Sequence, residues 1–187
     1  MTGEIVTERL VLRALRADDA ETMFAYRSDP EIMRYQGWGA ESLADVHEFL
    51  AQNARDGPYA PGSWRQFAIA LRPDGTMIGD CGIHVPQDKP QQAEFGITLA
   101  TAFQRHGYAA EALGALLHLA FDTLGKHRVF ASVDPRNAPS IALFERAGFR
   151  KEAHHIESLW LMGEWVDDVV FAMVAREWRA AQVAAPP

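Results

Sequence analysis

The chain has a single cysteine, Cys81, among its 187 residues. One thiol excludes an intramolecular disulfide framework and a multi-cysteine metal site, and no metal is expected. A reducing compartment, the cytoplasm, is the default expectation. Lysine is almost as scarce: only Lys89, Lys126 and Lys151 stand among the 18 basic residues, and the rest are arginine. Against 25 acidic residues the formal charge is −7, so a nucleic-acid binder, which would carry a basic stripe, is not expected. The same charge suits a cationic amine partner, and equally serves plain solubility. No apolar run approaches the roughly 20 residues of a membrane span, and Met1–Leu10 is too charged for a secretory signal. Internal repeats and long linkers are also missing, which points to one domain over residues 1–187, with an Ala/Pro tail frayed from about Ala180.

What is present is an ordinary globular mixture, 48% hydrophobic and 23% charged. Ile5–Leu15 reads as a first strand, with Arg9 and Arg13 on one side and Leu10 and Leu12 on the other. Asp18-Asp19 offers a cap for a helix with Ala20, Met23, Phe24 and Arg27 on one face, stopped before Asp29-Pro30. Glu31–Tyr35 suggests a short helix. Ser42-Leu43-Ala44-Asp45 resembles a capping box ahead of Val46, Phe49 and Leu50 at helical spacing. The stretch 56–62 is a break. Trp64–Leu71 and Met77–Val85 form a hairpin about Pro73-Asp74-Gly75, with Gly79 and Gly82 permitting bends or bulges, and Ala93–Leu99 is a central strand. A strand at Arg128–Val133 precedes a helix from about Ala138 to Ala147 that stops at Gly148. Phe149–Trp178 reads as two strands joined near Met162-Gly163-Glu164. This order of elements predicts a mixed α/β (α+β) domain: a central, mostly antiparallel sheet with helices on both faces.

One stretch organises the rest. Gln104-Arg105-His106-Gly107-Tyr108-Ala109 lies between the strand ending at Leu99 and a helix whose apolar residues recur at Leu113, Leu116, Leu117, Ala120 and Phe121. Such a strand-to-helix turn aims free backbone N–H groups and a positive helix end at one spot, as a phosphate or pyrophosphate requires. It is neither the dinucleotide fingerprint G-x-G-x-x-G nor a P-loop. Without further context a glycine there is simply a turn.

The spacing Gln-x-x-Gly-x-Ala resembles the acyl-CoA pyrophosphate loop of the GNAT superfamily of N-acetyltransferases. A second block, Arg128–Asn137 followed by Ser140 and Leu143–Phe149, extends the resemblance. It is closest to the branch that acetylates N-terminal alanines of ribosomal proteins, together with its small-amine relatives, and it spans Arg9 to Trp178. The resemblance implies the GNAT acyl-CoA N-acyltransferase fold and acetyl transfer from acetyl-CoA to a primary amine, by direct transfer in a ternary complex. The acceptor would be a protein N-terminus or a small molecule. It implies that Gln104, Arg105, His106, Gly107, Tyr108 and Ala109 hold the pyrophosphate. The backbone of Phe95, Ile97 and Leu99, splayed from the next strand, would take the pantetheine arm and stabilise the oxyanion. Asn137, Ser140 and Phe144 complete the implied cofactor set. His106 is a charge for the pyrophosphate or merely an exposed histidine.

Glu94 opens the central strand and, by the same resemblance, is the general base. Ser140 is the implied proton donor to the departing thiolate. Many superfamily members place a tyrosine acid where this chain has Phe144, and a phenyl ring cannot donate a proton. That departure is the only support for an alternative, a non-catalytic acyl-CoA-binding module or sensor. Asn137 also reads as an ordinary helix cap. Cys81 reads as a buried thiol, and His154-His155, adjacent on a strand, point to opposite faces. Trp38, Trp64, Tyr35, Tyr59, Trp160 and Trp165 fall near segments that line the acceptor site in relatives, or else pack the core. An apolar edge near Trp160–Trp165 is a candidate homodimer surface.

Overall fold

A computed structural model describes residues 3–55 and 59–184. Eight strands form one sheet in the order β1-β2-β3-β4-β5-β6-β8-β7. They are β1 (Ile5–Val6), β2 (Leu10–Ala14), β3 (Trp64–Leu71), β4 (Met77–His84), β5 (Gln92–Leu99), β6 (Arg128–Val133), β7 (Arg150–Leu161) and β8 (Glu164–Val174). The helices are α1 (Ala20–Arg27), α2 (Pro30–Met33), α3 (Leu43–Arg55), α4 (Tyr108–His118), α5 (Ala138–Arg146) and α6 (Ala175–Ala184). Every strand pair is antiparallel except β5–β6.

Helices cover both faces, as the element order predicts. On one face Leu113, Leu116, Leu117 and Phe121 of α4 and its continuation pack with Phe144, Phe149, Phe171 and Trp178 over Leu10, Leu12, Ile69 and Ile83. These are the 3.6-period residues read from the sequence, now removed from water. On the other face Met23, Tyr26, Val46 and Leu50 from α1 and α3 pack over Ala68 and Met77. The capping box also forms: Ser42 Oγ accepts from Asp45 N, and Asp45 Oδ2 accepts from Ser42 N. Gly79 is required where it stands, because a Cβ there would meet the Thr98 carbonyl at 2.2 Å. The β3–β4 register shifts beside it, between Ile69 and Ala70.

Two expectations are corrected. The first strand is broken: β1 and β2 pair with each other, Ile5 opposite Leu12, about a turn at Thr7 whose hydroxyl accepts from Leu10 N. Arg9 therefore sits in a turn rather than on the same side of one strand as Arg13. A local side-chain bond to the backbone makes that turn, and hydrophobic alternation cannot register it. The last strand ends at Val174, where the chain becomes helical, so Ala180–Ala184 is helix rather than frayed tail. Glu177 caps α6 by accepting from Val174 N. The break at 56–62 lies outside the described residues at 56–58, as does the tail at 185–187.

Candidate active site

Two strands that part create the site. Strands β5 and β6 pair through only three rungs, Gln92 with Arg128, Ala93 with Val129 and Glu94 with Phe130. Beyond Glu94, β6 stays bonded to β8 through Val133, while β5 runs on to Leu99 bonded only to β4. The backbone of Phe95–Leu99 on the β6 side is left without a strand partner. Five residues of extended strand beyond Glu94 span about 17 Å. This V opens toward the turn that starts α4, so Glu94 lies at its apex and Gln104–Ala109 at its mouth.

The turn has the geometry that anion binding needs. Arg105 and Gly107 both adopt positive φ, 65° and 82°. Gly107 occupies the left-handed position that caps α4, which a β-carbon disfavours. The first intrahelical bond is Glu111 N to the Gly107 carbonyl, so the N–H groups of Tyr108, Ala109 and Ala110 point past the helix end. Gln104 ties the turn to the strand by donating to the Leu99 carbonyl at 3.0 Å, and His106 Nδ1 lies 2.7 Å from the Gln104 carbonyl. These groups fit a pyrophosphate: backbone donors, a dipole end, and Arg105 and His106 alongside. The unpaired edge of Phe95–Leu99 fits the amide-bearing arm of coenzyme A.

Arg9 is part of this turn, and neither periodicity nor composition marks it. Its Nε contacts Glu111 Oε2 at 2.6 Å, Nη1 donates to the His106 carbonyl, and the guanidinium lies 4.7 Å from the Tyr108 ring centroid. Burial pushes the Glu111 carboxyl up, but hydrogen bonds from Thr7 and Arg9 outweigh it and hold the group below its ordinary range.

Across the V, Asn137 caps α5 by accepting from Ser140 N at 3.2 Å, which meets the cap expectation. Ser140 is half-buried on the first turn of that helix. Phe144 is placed differently from the implied cofactor set. Its ring is buried 5.1 Å from Phe149 and 6.3 Å from Phe171, so the core takes it. The side chains of Phe95 and Leu99 also face the core, leaving only their backbone to the cleft.

Glu94 faces the opposite side of the sheet, in a lattice set by register. Trp64, His84 and Glu94 form one cross-strand row; Gln66, Gly82 and Gly96 form the next; Ala68, Asp80 and Thr98 the third. His84 Nδ1 stands 3.2 Å from Glu94 Oε2. Trp64 stacks on His84 with ring centroids 5.1 Å apart and planes 15° from parallel. Beneath the third row lies a buried polar cluster. Asp80 accepts from Tyr26 at 2.7 Å, from Arg27 and from Gln66. Gln36 accepts from Thr98 and brings the 34–40 loop onto β5.

The remaining candidates take ordinary places. Cys81 is wholly buried, and burial raises its thiol well above the usual range. His154 pairs with Asp167 while His155 has no such partner, and among the described residues no three His, Cys, Asp or Glu side chains converge as a metal site. A cavity of about 510 Å³ between α3 and the 34–40 loop is lined by Trp38, Glu41, Asp45, Glu48 and Phe49; it shares no residue with Glu94 or the turn. Trp38 is taken up in stacking on Phe49 at 4.5 Å.

Known proteins place this arrangement. Residues 9–150 match the acetyltransferase (GNAT) domain family. The chain is 29% identical to the N-acetyltransferase p20 of Bacillus licheniformis over 93% of its own length and 97% of that protein. It is 27% identical to the [ribosomal protein uS5]-alanine N-acetyltransferase of Escherichia coli, covering 93% and 92% of the two chains. A solved acetyltransferase of the GNAT family from Bacillus anthracis superimposes with a TM-score of 0.83 at 26% identity, covering 93% of this chain and 99% of that one. These similarities give no support to a non-catalytic module. A parted β5–β6 pair with a turn at its mouth that fits an anion suits acetyl-CoA, and the chain belongs to the GNAT family as an N-acetyltransferase that moves an acetyl group from acetyl-CoA to an amine.

Proposed function

We propose that the acceptor is a protein N-terminal α-amine, acetylated by direct transfer within a ternary complex in a single domain, with Glu94 as base. The observation that carries this reading is the placement of Glu94 at the last rung before β5 and β6 part. There its carboxylate meets the apex where the acetyl group would end, if the turn at Gln104–Ala109 takes the pyrophosphate. Acetyl-CoA supplies an activated thioester; this chain's residues hold it, orient the amine and take its proton. The backbone edge of Phe95, Ile97 and Leu99 would hold the arm and polarise the carbonyl. Asn137 and Ser140 would flank the sulfur, with Ser140 the donor to the departing thiolate.

Chemistry favours an α-amine. An α-amino group has a pKa of about 7.7–8.0 and a lysine-type amine about 10.4, so near pH 7.5 about a third of the former is neutral against about one in a thousand of the latter. A carboxylate base has little to do in the first case. The kinship with the E. coli alanine acetyltransferase supports the same choice. A small-molecule amine is the second reading, favoured by the −7 charge.

The test is thiol release from acetyl-CoA with peptides of N-terminal alanine against the same peptides blocked at the N-terminus, and against small polyamines. Turnover on free but not blocked peptides supports the first reading; turnover on polyamines alone overturns it.

We further propose a homodimer through the β7–β8 hairpin, in the reducing cytoplasm. Strand β7 is the sheet edge, and Ile156, Trp160, Met162 and Trp165 are each more than half exposed. Aromatic side chains carry about 150–250 Å² each, so this patch reaches the upper end of the roughly 300–600 Å² found on monomers. Among the described residues no helix is long and apolar enough to cross a membrane.

A further inference from the structure

We infer that His84 is a positioning residue for Glu94, and that Trp64, stacked on the imidazole, holds His84 in place. The inference rests on Glu94 being the base. It starts from the lattice of the sheet. Register puts Trp64, His84 and Glu94 side by side on three adjacent strands, all on the face that α1 and α3 partly cover. Each of the three is reachable from solvent: the imidazole and the carboxylate are each about one-quarter exposed, and Trp64 is 40% exposed.

The contact between His84 and Glu94 has one productive form. A carboxylate that is to take a proton is ionised and can only accept hydrogen bonds. Nδ1 of His84 stands 3.2 Å from Oε2, so this contact is a hydrogen bond when Nδ1 carries the hydrogen and donates. That bond holds Oε2 and leaves Oε1 for the acceptor. In the transfer, Oε1 takes one proton from the ammonium form of the amine. The freed nitrogen pair then forms the C–N bond as the thioester C–S bond breaks with its electron pair going to sulfur. The nitrogen's second proton replaces the one that Ser140 gives the departing thiolate, and the proton on Glu94 passes to solvent. His84 neither gains nor loses a proton in this scheme; it fixes one oxygen so that the other points at the amine.

Two glycines let Trp64 do its part. A Cβ on Gly82 would come within 3.0 Å of the Trp64 ring, and one on Gly96 within 3.7 Å. The edge of the indole therefore passes over the second row of the lattice while its face stacks on His84. A larger residue at Gly82 would meet Gln66 Oε1 first, at 2.0 Å, and then press on the indole edge. No other charged side chain among the described residues bonds His84 or Glu94.

The experiment is a double-mutant cycle on an accepted amine. His84→Ala should lower kcat about tenfold, within the range of general-base assistance, while the KM for acetyl-CoA and the thermal stabilisation by acetyl-CoA stay as in the parent. His84→Asn, whose amide nitrogen can stand where Nδ1 stands, should recover most of that loss. In a Glu94→Gln background, His84→Ala should cost less than about twofold more, because groups that act as a unit are non-additive. If the two losses multiply, His84 acts apart from Glu94 and the inference falls. Full activity of His84→Ala alongside a damaged Glu94→Gln also removes His84, while leaving the base in place. An undamaged Glu94→Gln removes the base itself, which is a separate failure.

Discussion

Asp80 is the residue on which the α1–α3 face depends most. It is wholly buried, and it meets the guanidinium of Arg27, the phenol of Tyr26 and the amide of Gln66. Burial, with the Asp80 charge added, pushes the Tyr26 phenol far above its ordinary range, so it remains a donor. Removing one partner of a buried ion pair leaves the other charge unpaired, at about 3–5 kcal/mol. Asp80→Ala should therefore lower the unfolding free energy measured in urea by that much, as a shifted midpoint with an unchanged m-value. Asp19 gives the pH dependence. Burial pushes its carboxyl up, but the paired bonds from Arg13 and the bond from Arg16 N hold it below the ordinary range. A carboxylate lowered in the fold contributes stability above its unfolded pKa of about 3.9 and loses it as pH falls further. Unfolding free energy should be nearly flat from about pH 7 to 5 and drop below about pH 4, and Asp19→Asn should flatten part of that drop. Cys81, buried with its thiol raised, should resist a thiol reagent in the folded protein and react at once in denaturant.

Among elements, the start of α4 is the most exacting. Gly107→Ala forces a β-carbon into a left-handed φ and within 3.2 Å of Arg9 Nη2. The strain is about 1–2 kcal/mol, and the thermal shift given by acetyl-CoA should shrink with it. At α5, Asn137→Ala should cost about 0.5–2 kcal/mol in urea titration by removing the cap. These two helix starts were legible because their signals are local: glycine before a 3.6-period run, and Asn-x-x-Ser before another. The strands β3, β4 and β5 were legible to within a residue at either end for the same reason, being bounded by Pro, Gly and polar turns. What stayed hidden depends on distant partners. The pairing of His84 with Glu94 follows from register across the 85–91 connection, whose length does not specify a turn type. Arg9 reaches Glu111 across 102 residues, and no pattern along the chain encodes that meeting. The burial of Phe144 was hidden likewise, since its packing partner Phe171 comes from a later strand.

At the scale of the whole molecule, the hairpin of β7 and β8 ends the sheet with Trp160 and Trp165 facing each other at 5.3 Å, both exposed. A dimer closed there should run at twice the monomer mass in sedimentation, and Trp160→Ser with Trp165→Ser should return it to the monomer with acetyl-CoA binding intact. The sheet has a second boundary in its interior. Strands β1 to β5 are neighbours in sequence order, β6 to β8 form a second group, and three rungs between β5 and β6 join them. Those rungs bring together residues such as Gln92 and Arg128, 36 apart, at a closure cost of about 3 kcal/mol in chain entropy. Three rungs hold this junction against six between β6 and β8 and six between β4 and β5, so it is the first part of the sheet to breathe. In deuterated water the β5 amides that face it should exchange ahead of those inside β3 and β4, and acetyl-CoA should slow them selectively.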